Sequence, residues 1–284
     1  MRAPEQDWAV VVPVKGGPLA KSRLHLPRDA RAALADAFAR DTVDALAAGM
    51  PGAAVLVVTP DAEVARWVTG AGHAVVADPG SGLDSAVAAG VGAALGLGAL
   101  RVAVVLGDHP ALRAEEVGAA LAAAGDLLAS VVPDAEDSGT ALLTLPATSA
   151  GAVRTAFGPG SAAAHERLGH VRLDLDLPGL RVDVDDAASL AAAARLGLGP
   201  HSRAALAHAS LPGVQATIHR IEPDGSGSAL LDDGVEVVVP PGAAVASGLR
   251  HLRVGQRVSV ELDEAGRVAT RVWVVGIGPG EDIR

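Results

Sequence analysis

The sequence predicts a three-layer α/β domain followed by a small all-β barrel. Up to about residue 212, short β-branched runs alternate with alanine-rich helical segments at a spacing of roughly 20 to 25 residues, which is typical of a sheet covered by helices. After Pro212 the helical pattern stops, and short strand candidates follow one another between turn signals such as Pro223-Asp224-Gly225. We therefore expect one domain at 1–212 and a second at 213–284.

The first strand, Trp8 to Val14, is a continuous apolar run that ends at a glycine-proline turn, as expected for a strand buried on both faces. Helical periodicity follows from Pro27 to Gly49 and stops at Pro51-Gly52. The later strands are expected at 54–58, 73–77, 102–106, 130–133, 141–145 and 181–184. The later helices are expected at 64–68, 85–95, from after Pro110 to about 124, at 162–168 and at 187–196. Residues 197–212 are expected to interrupt the pattern with Gly, Pro, Ser and His.

The C-terminal part has the strand density of a small closed barrel of the OB type. Its five strands are expected at 214–219, 228–231, 235–239, 257–262 and 268–275.

Composition excludes several classes of function. The chain has 284 residues, no cysteine, 33 acidic against 23 basic residues and a net charge of −10, so disulfides, thiolate chemistry and a basic nucleic-acid surface are not expected. Aromatic residues make up only 2%, too few for a base-stacking platform. No apolar signal segment or membrane span is found, and the sequence predicts a soluble cytoplasmic protein.

The loop after the first strand contains both lysines of the chain, Lys15 and Lys21. Ligands of open α/β sheets bind beyond the carboxyl ends of the strands. Gly16 and Gly17 allow close backbone approach and Arg23 adds a third positive charge, so the loop predicts a phosphate cradle. The alternative is an ordinary glycine turn with solvated charges.

Asp108 follows the fourth strand directly and is flanked by glycine and proline within residues 107–110. Because Mg²⁺ usually takes one or two carboxylates together with substrate phosphates, Asp108 is a candidate metal ligand. The alternative is that Asp108 caps the next helix. The adjacent His109 is expected to be a packing residue.

A second acidic group, Asp183 and Asp185, falls on the strand predicted at 181–184 and its end, where alternation places both carboxylates on one face. Such carboxylates repel each other unless a cation joins them, so we predict an Mg²⁺ site shared with Asp108. One alternative is that Asp185 or Asp186 caps the following helix. Another is that the run 174–176, which has the same spacing, supplies the acids instead.

Other glycine-containing turns are candidate contacts for the substrates. Gly158 to Ser161 opens a helix with Ser161 as the expected N-cap, which would present amides to a phosphate or carboxylate; an ordinary capped helix is the alternative. Thr140 ends a polar turn before a strand. Recognition of a base or ribose is expected after the third strand, at Gly82, Leu83 and Asp84.

Together these segments resemble the phosphoenolpyruvate and 2-phospho-L-lactate guanylyltransferases of coenzyme F-420 biosynthesis, the CofC/FbiD family. The similar segments appear in the family's order over about residues 8 to 200. They are PVKGGPLAKSRL at 13–24, GLDSAV at 82–87, LGDHPAL at 106–112, GTALL at 139–143, FGPGS at 157–161 and RVDVDDAASL at 181–190.

The resemblance implies a GT-A-like, Rossmann-related fold and an Mg²⁺-dependent transfer of GMP from GTP to a phosphorylated three-carbon acid, with release of pyrophosphate. It implies that the GTP phosphates are held by Lys15, Lys21 and Arg23. It implies metal binding by Asp108, Asp183 and Asp185, and acceptor binding by Thr140, Gly158 and Ser161. The chain departs from the family's pattern at Asp84, where Asn is usual, and at His109, where Leu is usual.

Residues 214–275 resemble a cold-shock or S1-type module that has lost its binding face. Where cold-shock domains carry an aromatic strand, this chain has Gly225 to Leu231, and the second aromatic strand is replaced by Val235 to Pro240. Without rings to stack bases, the barrel is not expected to bind nucleic acid tightly. It is expected to pack on the catalytic domain or to mediate assembly, and a homodimer is an open alternative.

The leading prediction is a guanylyltransferase whose acceptor is phosphoenolpyruvate. The same reaction on 2-phospho-L-lactate or 3-phosphoglycerate is the nearest alternative, because these acids differ from phosphoenolpyruvate only in small groups. An alternative of another class is a nucleic-acid-binding or regulatory protein that acts through the barrel. The set of cations and acids at the predicted site argues against that alternative.

Overall fold

The computed structural model describes residues 7–15, 21, 24, 28–209, 214–232, 234–243, 251–263 and 265–274. The chain divides into two compact units, one of residues 1–25 and 31–203 and the other of residues 26–30 and 204–284.

The first unit is built on a seven-stranded sheet of order β3-β2-β1-β4-β6-β5-β7. Its strands are β1 (Trp8–Pro13), β2 (Ala54–Thr59), β3 (Ala74–Ala77), β4 (Arg101–Val104), β5 (Ser130–Pro133), β6 (Thr140–Pro146) and β7 (Val171–Arg172). Its helices are α1 (Arg28–Gly49), α2 (Ala62–Gly70), α3 (Leu83–Gly96), α4 (Ala114–Ala123), α5 (Ser161–Arg167), α6 (Pro178–Arg181) and α7 (Ala187–Leu196), and a 3-10 turn spans Ala150–Ala152. Helix α8 (Pro200–Ala209) has residues assigned to both units, as does α1.

Apolar cores cover both faces of this sheet. Alternate residues of β1 separate them: Val10 and Val12 pack with α1, α2 and α4, whereas Ala9 and Val11 pack with α3. Gly90 of α3 lies so close to β1 that a Cβ built there would be 2.4 Å from Val11 Cγ1. Two buried faces explain why β1 is apolar throughout, and they confirm the predicted three-layer α/β domain.

The order of the strands brings several chain ends to one edge of the sheet. β1 pairs in parallel with β2 and β4, so their carboxyl ends lie side by side. β6 pairs antiparallel with β4, with Leu143 opposite Val104, so the first residue of β6, Thr140, lies toward that same edge. The carboxyl ends of β1 and β4 and the start of β6 therefore lie at one edge of the sheet.

The second unit contains the five-stranded antiparallel sheet β10-β9-β8-β11-β12. Its strands are β8 (Val214–Ile221), β9 (Gly227–Leu231), β10 (Glu236–Val239), β11 (Arg257–Leu262) and β12 (Ala269–Val274). A parallel bridge between Val238 and Val268 joins β10 to the residue before β12, so the sheet curls toward closure. This pairing is that of an OB-like barrel, as the sequence predicted.

Two predictions about elements are wrong. The segment 181–184, predicted as a strand, has none: Arg181 ends the short helix α6, and residues 182–184 pair with no strand. β7 takes the place beside β5 instead, through the pair Ser130 and Val171.

The second wrong prediction is that residues 197–212 interrupt the pattern of helices and strands. They contain helix α8 at Pro200–Ala209. Its first amides are capped from a distance, because the buried Asp41 carboxylate accepts from the backbone N–H groups of His201 at 3.0 Å and Ser202 at 2.8 Å. A cap supplied by α1 carries no local sequence signal.

Candidate active site

Three carboxylates converge at the carboxyl edge of the sheet. Asp108 lies beyond β4, and Asp183 and Asp185 lie in the extended segment between α6 and α7. One oxygen from each can be chosen so that all three lie within 4.8 Å of one another, the only such acidic group found among the described residues. The competing acid Asp174 instead forms an ion pair with Arg172 at 2.7 Å. The structure therefore brings together the three predicted metal ligands.

Backbone and capping contacts fix the two segments that carry these acids. The Val184 N–H donates to the Asp108 carbonyl at 3.0 Å, which ties the segment to the β4 loop without a strand ladder. Asp186 caps α7 by accepting from Ser189 N at 2.9 Å, and Ser189 Oγ in turn accepts from Asp185 N at 3.0 Å. The sequence left Asp185 and Asp186 open as the cap, and the structure shows that Asp186 is the cap and that the Asp185 side chain does not cap the helix. Asp108 caps no helix, because α4 begins at Ala114.

Lys21 bridges two of the three acids. Its Nζ donates to Asp108 Oδ2 at 2.8 Å and to Asp185 Oδ1 at 3.0 Å. The Lys21 side chain is 12% exposed and that of Asp108 19%, so this ion pair is largely removed from water. Lys21 also has a left-handed backbone conformation with φ of 53°. One of the cations predicted to meet phosphates thus lies against the predicted metal ligands.

The pKa directions follow from this arrangement. Burial opposes the charge of Asp108, but the Lys21 ammonium outweighs it and lowers the pKa of the carboxyl. Burial likewise opposes the charge of Lys21, yet Asp108 and Asp185 raise its pKa above the usual value. Burial, followed by the negative charge of Asp108, raises the pKa of Asp183. One ammonium therefore does not compensate all three acids.

The donor set fits a hard divalent cation. Among the described residues, Asp108 Oδ1 is buried and has no hydrogen-bond partner. His109 Nε2 lies 3.7 Å from it, beyond hydrogen-bond distance. A buried carboxylate oxygen without a partner is costly, and an oxygen-binding cation would satisfy it. His109 is itself 1% exposed and outside the acidic group, as predicted for a packing residue.

A second, neutral polar cluster joins the start of β6 to the start of α5. Thr140 Oγ1 lies 3.0 Å from Ser161 Oγ and 2.9 Å from His165 Nδ1, and all three side chains are buried. The Ala162 N–H donates to the Ser138 carbonyl at 3.2 Å, which holds α5 against the loop before β6. The structure thus brings together two predicted acceptor ligands, Thr140 and Ser161.

The turn that leads into α5 differs from the sequence prediction in one respect. Ser161 is the first helical residue, and the N-cap is Gly160, whose φ of 72° is in the left-handed region. Gly158 has φ of 131°, which residues with a side chain rarely adopt, and no atom lies within 4 Å of a Cβ built there. The prediction that Ser161 caps the helix is therefore wrong. Gly158 and Gly160, on either side of Pro159, both have positive φ, and the N-cap is Gly160 rather than Ser161.

Asp84 binds the loop before this turn. Its Oδ1 accepts from Thr155 Oγ1 at 2.7 Å and from the Phe157 N–H at 3.0 Å. Gly82 is the N-cap of α3, with φ of 101°, and Leu83 is its first residue. Contact of Gly82, Leu83 and Asp84 with a nucleotide stays a prediction. What the structure adds is a link from α3 to the loop 155–157.

Some predicted residues have no described geometry. Gly16, Gly17 and Arg23 lie outside the described residues, and Lys15 is exposed just beyond β1.

Sequence reasoning missed His165. The sequence did carry one signal for it: His165 follows Ser161 by four residues, and residues at that spacing share a face of a helix.

None of the helices in the described part of the chain is long and apolar enough to cross a membrane.

Comparison with known proteins gives the family. No family model matches the chain. It is 48% identical over 202 residues to the phosphoenolpyruvate guanylyltransferase of Salinispora arenicola, covering 69% of this chain and 92% of that protein. The chain belongs to the phosphoenolpyruvate guanylyltransferase family. The family members of Geodermatophilus obscurus, 44% identical over 72% of this chain and 96% of that protein, and Streptomyces coelicolor, 41% identical over 73% and 99%, agree.

Among solved structures, the chain is similar to a nucleotidyl transferase from Methanothermobacter thermautotrophicus. The TM-score is 0.47 at 19% identity, over 66% of this chain and 97% of that one.

Proposed function

We propose that the chain transfers GMP from GTP to phosphoenolpyruvate and releases pyrophosphate, in the biosynthesis of the deazaflavin coenzyme F-420. The observation that carries the proposal is the group Asp108, Asp183 and Asp185 with Lys21 against it, at the sheet edge where nucleotides bind in open α/β folds. The named activity of the family members supports the choice of substrates.

In this proposal a phosphate oxygen of the acceptor forms a bond to the α-phosphorus of GTP. The bond from that phosphorus to the β-phosphate bridge breaks, and pyrophosphate leaves with the bonding electrons. No protein nucleophile or general base is needed, because the acceptor phosphate is already an anion. The protein's contribution is positioning and charge neutralisation.

Mg²⁺ would be held by Asp108, Asp183 and Asp185, because carboxylate oxygens are among the ligands that it takes. When bound, it neutralises negative charge on the triphosphate and polarises the reacting phosphate. Further positive charge toward the phosphates comes from Lys15, Lys21 and Arg23. For this, the Lys21 ammonium leaves the Asp108 and Asp185 carboxylates and binds phosphate oxygens instead. Thr140, Gly158 and Ser161 bind the phosphorylated acid.

The barrel is proposed to be a cold-shock-like module without nucleic-acid affinity. Strands β8, β9 and β10 contain no Phe, Tyr or Trp, and exposed positions there include His219, Glu236 and Val238. Such a face has neither stacking rings nor a surplus of positive charge.

The test is pyrophosphate release from GTP or ATP with phosphoenolpyruvate, 2-phospho-L-lactate or 3-phosphoglycerate, with Mg²⁺ or with chelator. We expect turnover with GTP, phosphoenolpyruvate and Mg²⁺ together. Asp108→Asn should lower kcat about 100-fold or more, because it removes a charge that would hold the cation. Asp176→Asn, an exposed acid from the competing acidic run, is the matched control and should stay within twofold. No turnover with any acceptor, or full activity of Asp108→Asn, would overturn the proposal.

A further inference from the structure

We propose that His165 is a positioning residue of the acceptor site, which holds the loop 155–157 and directs the Thr140 hydroxyl proton to Ser161, so that the Ser161 hydroxyl proton is left for a bound anion. The inference rests on the proposed function, in which Thr140 and Ser161 bind the phosphorylated acid. The inference gives a role to His165, a buried histidine that is not among the predicted site residues and has no part in the proposed reaction.

The backbone of the loop fixes the tautomer of His165. The Ala156 N–H donates to His165 Nε2 at 3.0 Å, so this nitrogen must be an acceptor and carry no proton. A neutral ring then carries its proton on Nδ1, which faces Thr140 Oγ1 at 2.9 Å. Burial, with the nearby His170, lowers the pKa of His165 to about 4, so the ring is neutral at pH 7. Asp84 and His170 are the charged or titratable groups that act on the ring.

That tautomer orders the hydroxyls beyond it. Thr140 Oγ1 accepts from His165 Nδ1–H, so its own proton is free to donate to Ser161 Oγ at 3.0 Å. We assign Ser161 Oγ as the acceptor of the Thr140 proton, so the Ser161 proton has no acceptor within this chain of three groups. The Ser161 hydroxyl is left as a donor to a ligand at the Gly158–Ser161 turn. A donor is what a phosphate or carboxylate group requires.

Further contacts fix the loop 155–157 against the His165 ring and against Asp84. The Phe157 ring packs edge-on against His165 at a centroid distance of 4.9 Å. The neighbouring loop atoms Thr155 Oγ1 and Phe157 N are held by Asp84. Three consecutive loop residues are therefore held between α3 and α5. Losing the imidazole would release the middle one and leave the hydroxyl protons without a fixed direction.

Three variants separate the two contacts of the ring. His165→Phe removes both polar contacts and keeps a ring of similar shape. His165→Asn keeps an N–H donor near the position of Nδ1, and His165→Gln keeps an acceptor near the position of Nε2. The control for loss of an imidazole is His201→Asn, which replaces a histidine of α8 that is bonded to Asp44 of α1.

We expect His165→Phe to raise the KM for phosphoenolpyruvate about tenfold, while the KM for GTP stays within twofold, because one charge-assisted hydrogen bond to the acceptor is misdirected. His165→Asn should recover most of that loss, and His165→Gln should recover less. Equal changes in both KM values, or a KM for phosphoenolpyruvate in His165→Phe within twofold of the wild type, would overturn the inference.

A readout independent of turnover is the ¹⁵N spectrum of the His165 ring in the full chain at pH 7. The expected signature is a protonated Nδ1 and a bare Nε2, and the reverse tautomer or an imidazolium would overturn the inference even in an active enzyme. Should the wild type show no transfer to any acceptor, the proposed function fails, and binding of inorganic phosphate then decides for His165. Weaker phosphate binding by His165→Phe than by the wild type would support its positioning role, and equal or absent binding would contradict it.

Discussion

Replacing Lys21 by methionine tests the electrostatics of the acidic group. Methionine keeps most of the apolar stem and removes the ammonium, which is bonded to Asp108 and Asp185. Asp108 then stays buried beside Asp183 without its cation, and the free energy of unfolding should fall. The effect on Asp185 is smaller, because its side chain is 56% exposed.

The magnitude follows from the two contacts. A hydrogen bond between charged groups is worth about 1.5 to 3 kcal/mol, and an exposed ion pair about 0 to 1 kcal/mol. Relief of the cost of burying Lys21 offsets part of this sum, which leaves a destabilisation of about 2 kcal/mol. For a unit of this size, that corresponds to a decrease in Tm of about 6 °C.

Thermal unfolding in chelator measures the loss of stability, and titration with Mg²⁺ then measures how far the cation raises the Tm. Lys21→Met should unfold at lower temperature in chelator, and Mg²⁺ should raise its Tm more than that of the wild type, since the cation no longer competes with an ammonium. Lys15→Met, which changes an exposed lysine of the same loop, is the control and should shift Tm by less than about 1 °C. A Tm of Lys21→Met at or above the wild-type value in chelator would refute the reasoning.

Two further predictions concern packing and pH. Gly90→Ala should lower the free energy of unfolding by about 2 kcal/mol, because the new Cβ would lie 2.4 Å from Val11. The control is Gly96→Ala in the same helix, whose Cβ meets no atom within 4 Å and which should be neutral or stabilising. Equal denaturation midpoints for the two variants would contradict this prediction. The pKa of His165 is about 4 when folded and about 6.5 when unfolded, so the unfolded chain binds more protons between these values. The free energy of unfolding should therefore fall by roughly 3 kcal/mol from this group as pH drops from 6.5 to 4. His165→Phe should lack that component when Tm is compared at pH 7 and 4.5, and an identical pH dependence would count against the shift.

Local sequence patterns predicted most of the elements of the first unit, because its strands are apolar runs buried on both faces and its helices lie between clear turns. They failed where distant residues decide the structure. α8 depends on the Asp41 carboxylate, about 160 residues earlier in the chain. Residues 181–184 have a strand-like pattern, but β7 already occupies the edge beside β5. Neither cause is visible within a window of a few residues.

The charged part of the candidate site was more predictable than the neutral part. Asp108, Asp183 and Asp185 were recognisable because like charges near strand ends need a cation, and they do converge, although the segment of the last two is no strand. The partnership of Lys21 with Asp108 was not predicted, since it depends on the path of the loop. His165 and the contacts of Asp84 were missed because their value lies in hydrogen-bond direction, which composition and spacing do not encode.

Asp84 shows why a departure from the family's residue need not change the fold of the site. In the loop 155–157, Thr155 Oγ1 and the Phe157 N–H both donate to the single oxygen Asp84 Oδ1. The side-chain oxygen of an asparagine can accept the same two bonds. Having Asp in place of Asn therefore preserves the link between α3 and the loop. It changes only the second polar atom of the side chain, from the N–H donor Nδ2 to the acceptor Oδ2. In the proposed reaction that atom is left to accept from a base N–H or a ribose hydroxyl, so Asp84→Asn should leave the KM for phosphoenolpyruvate unchanged and alter that for GTP. A change in the KM for phosphoenolpyruvate alone would show that the loop, rather than the nucleotide, depends on the charge.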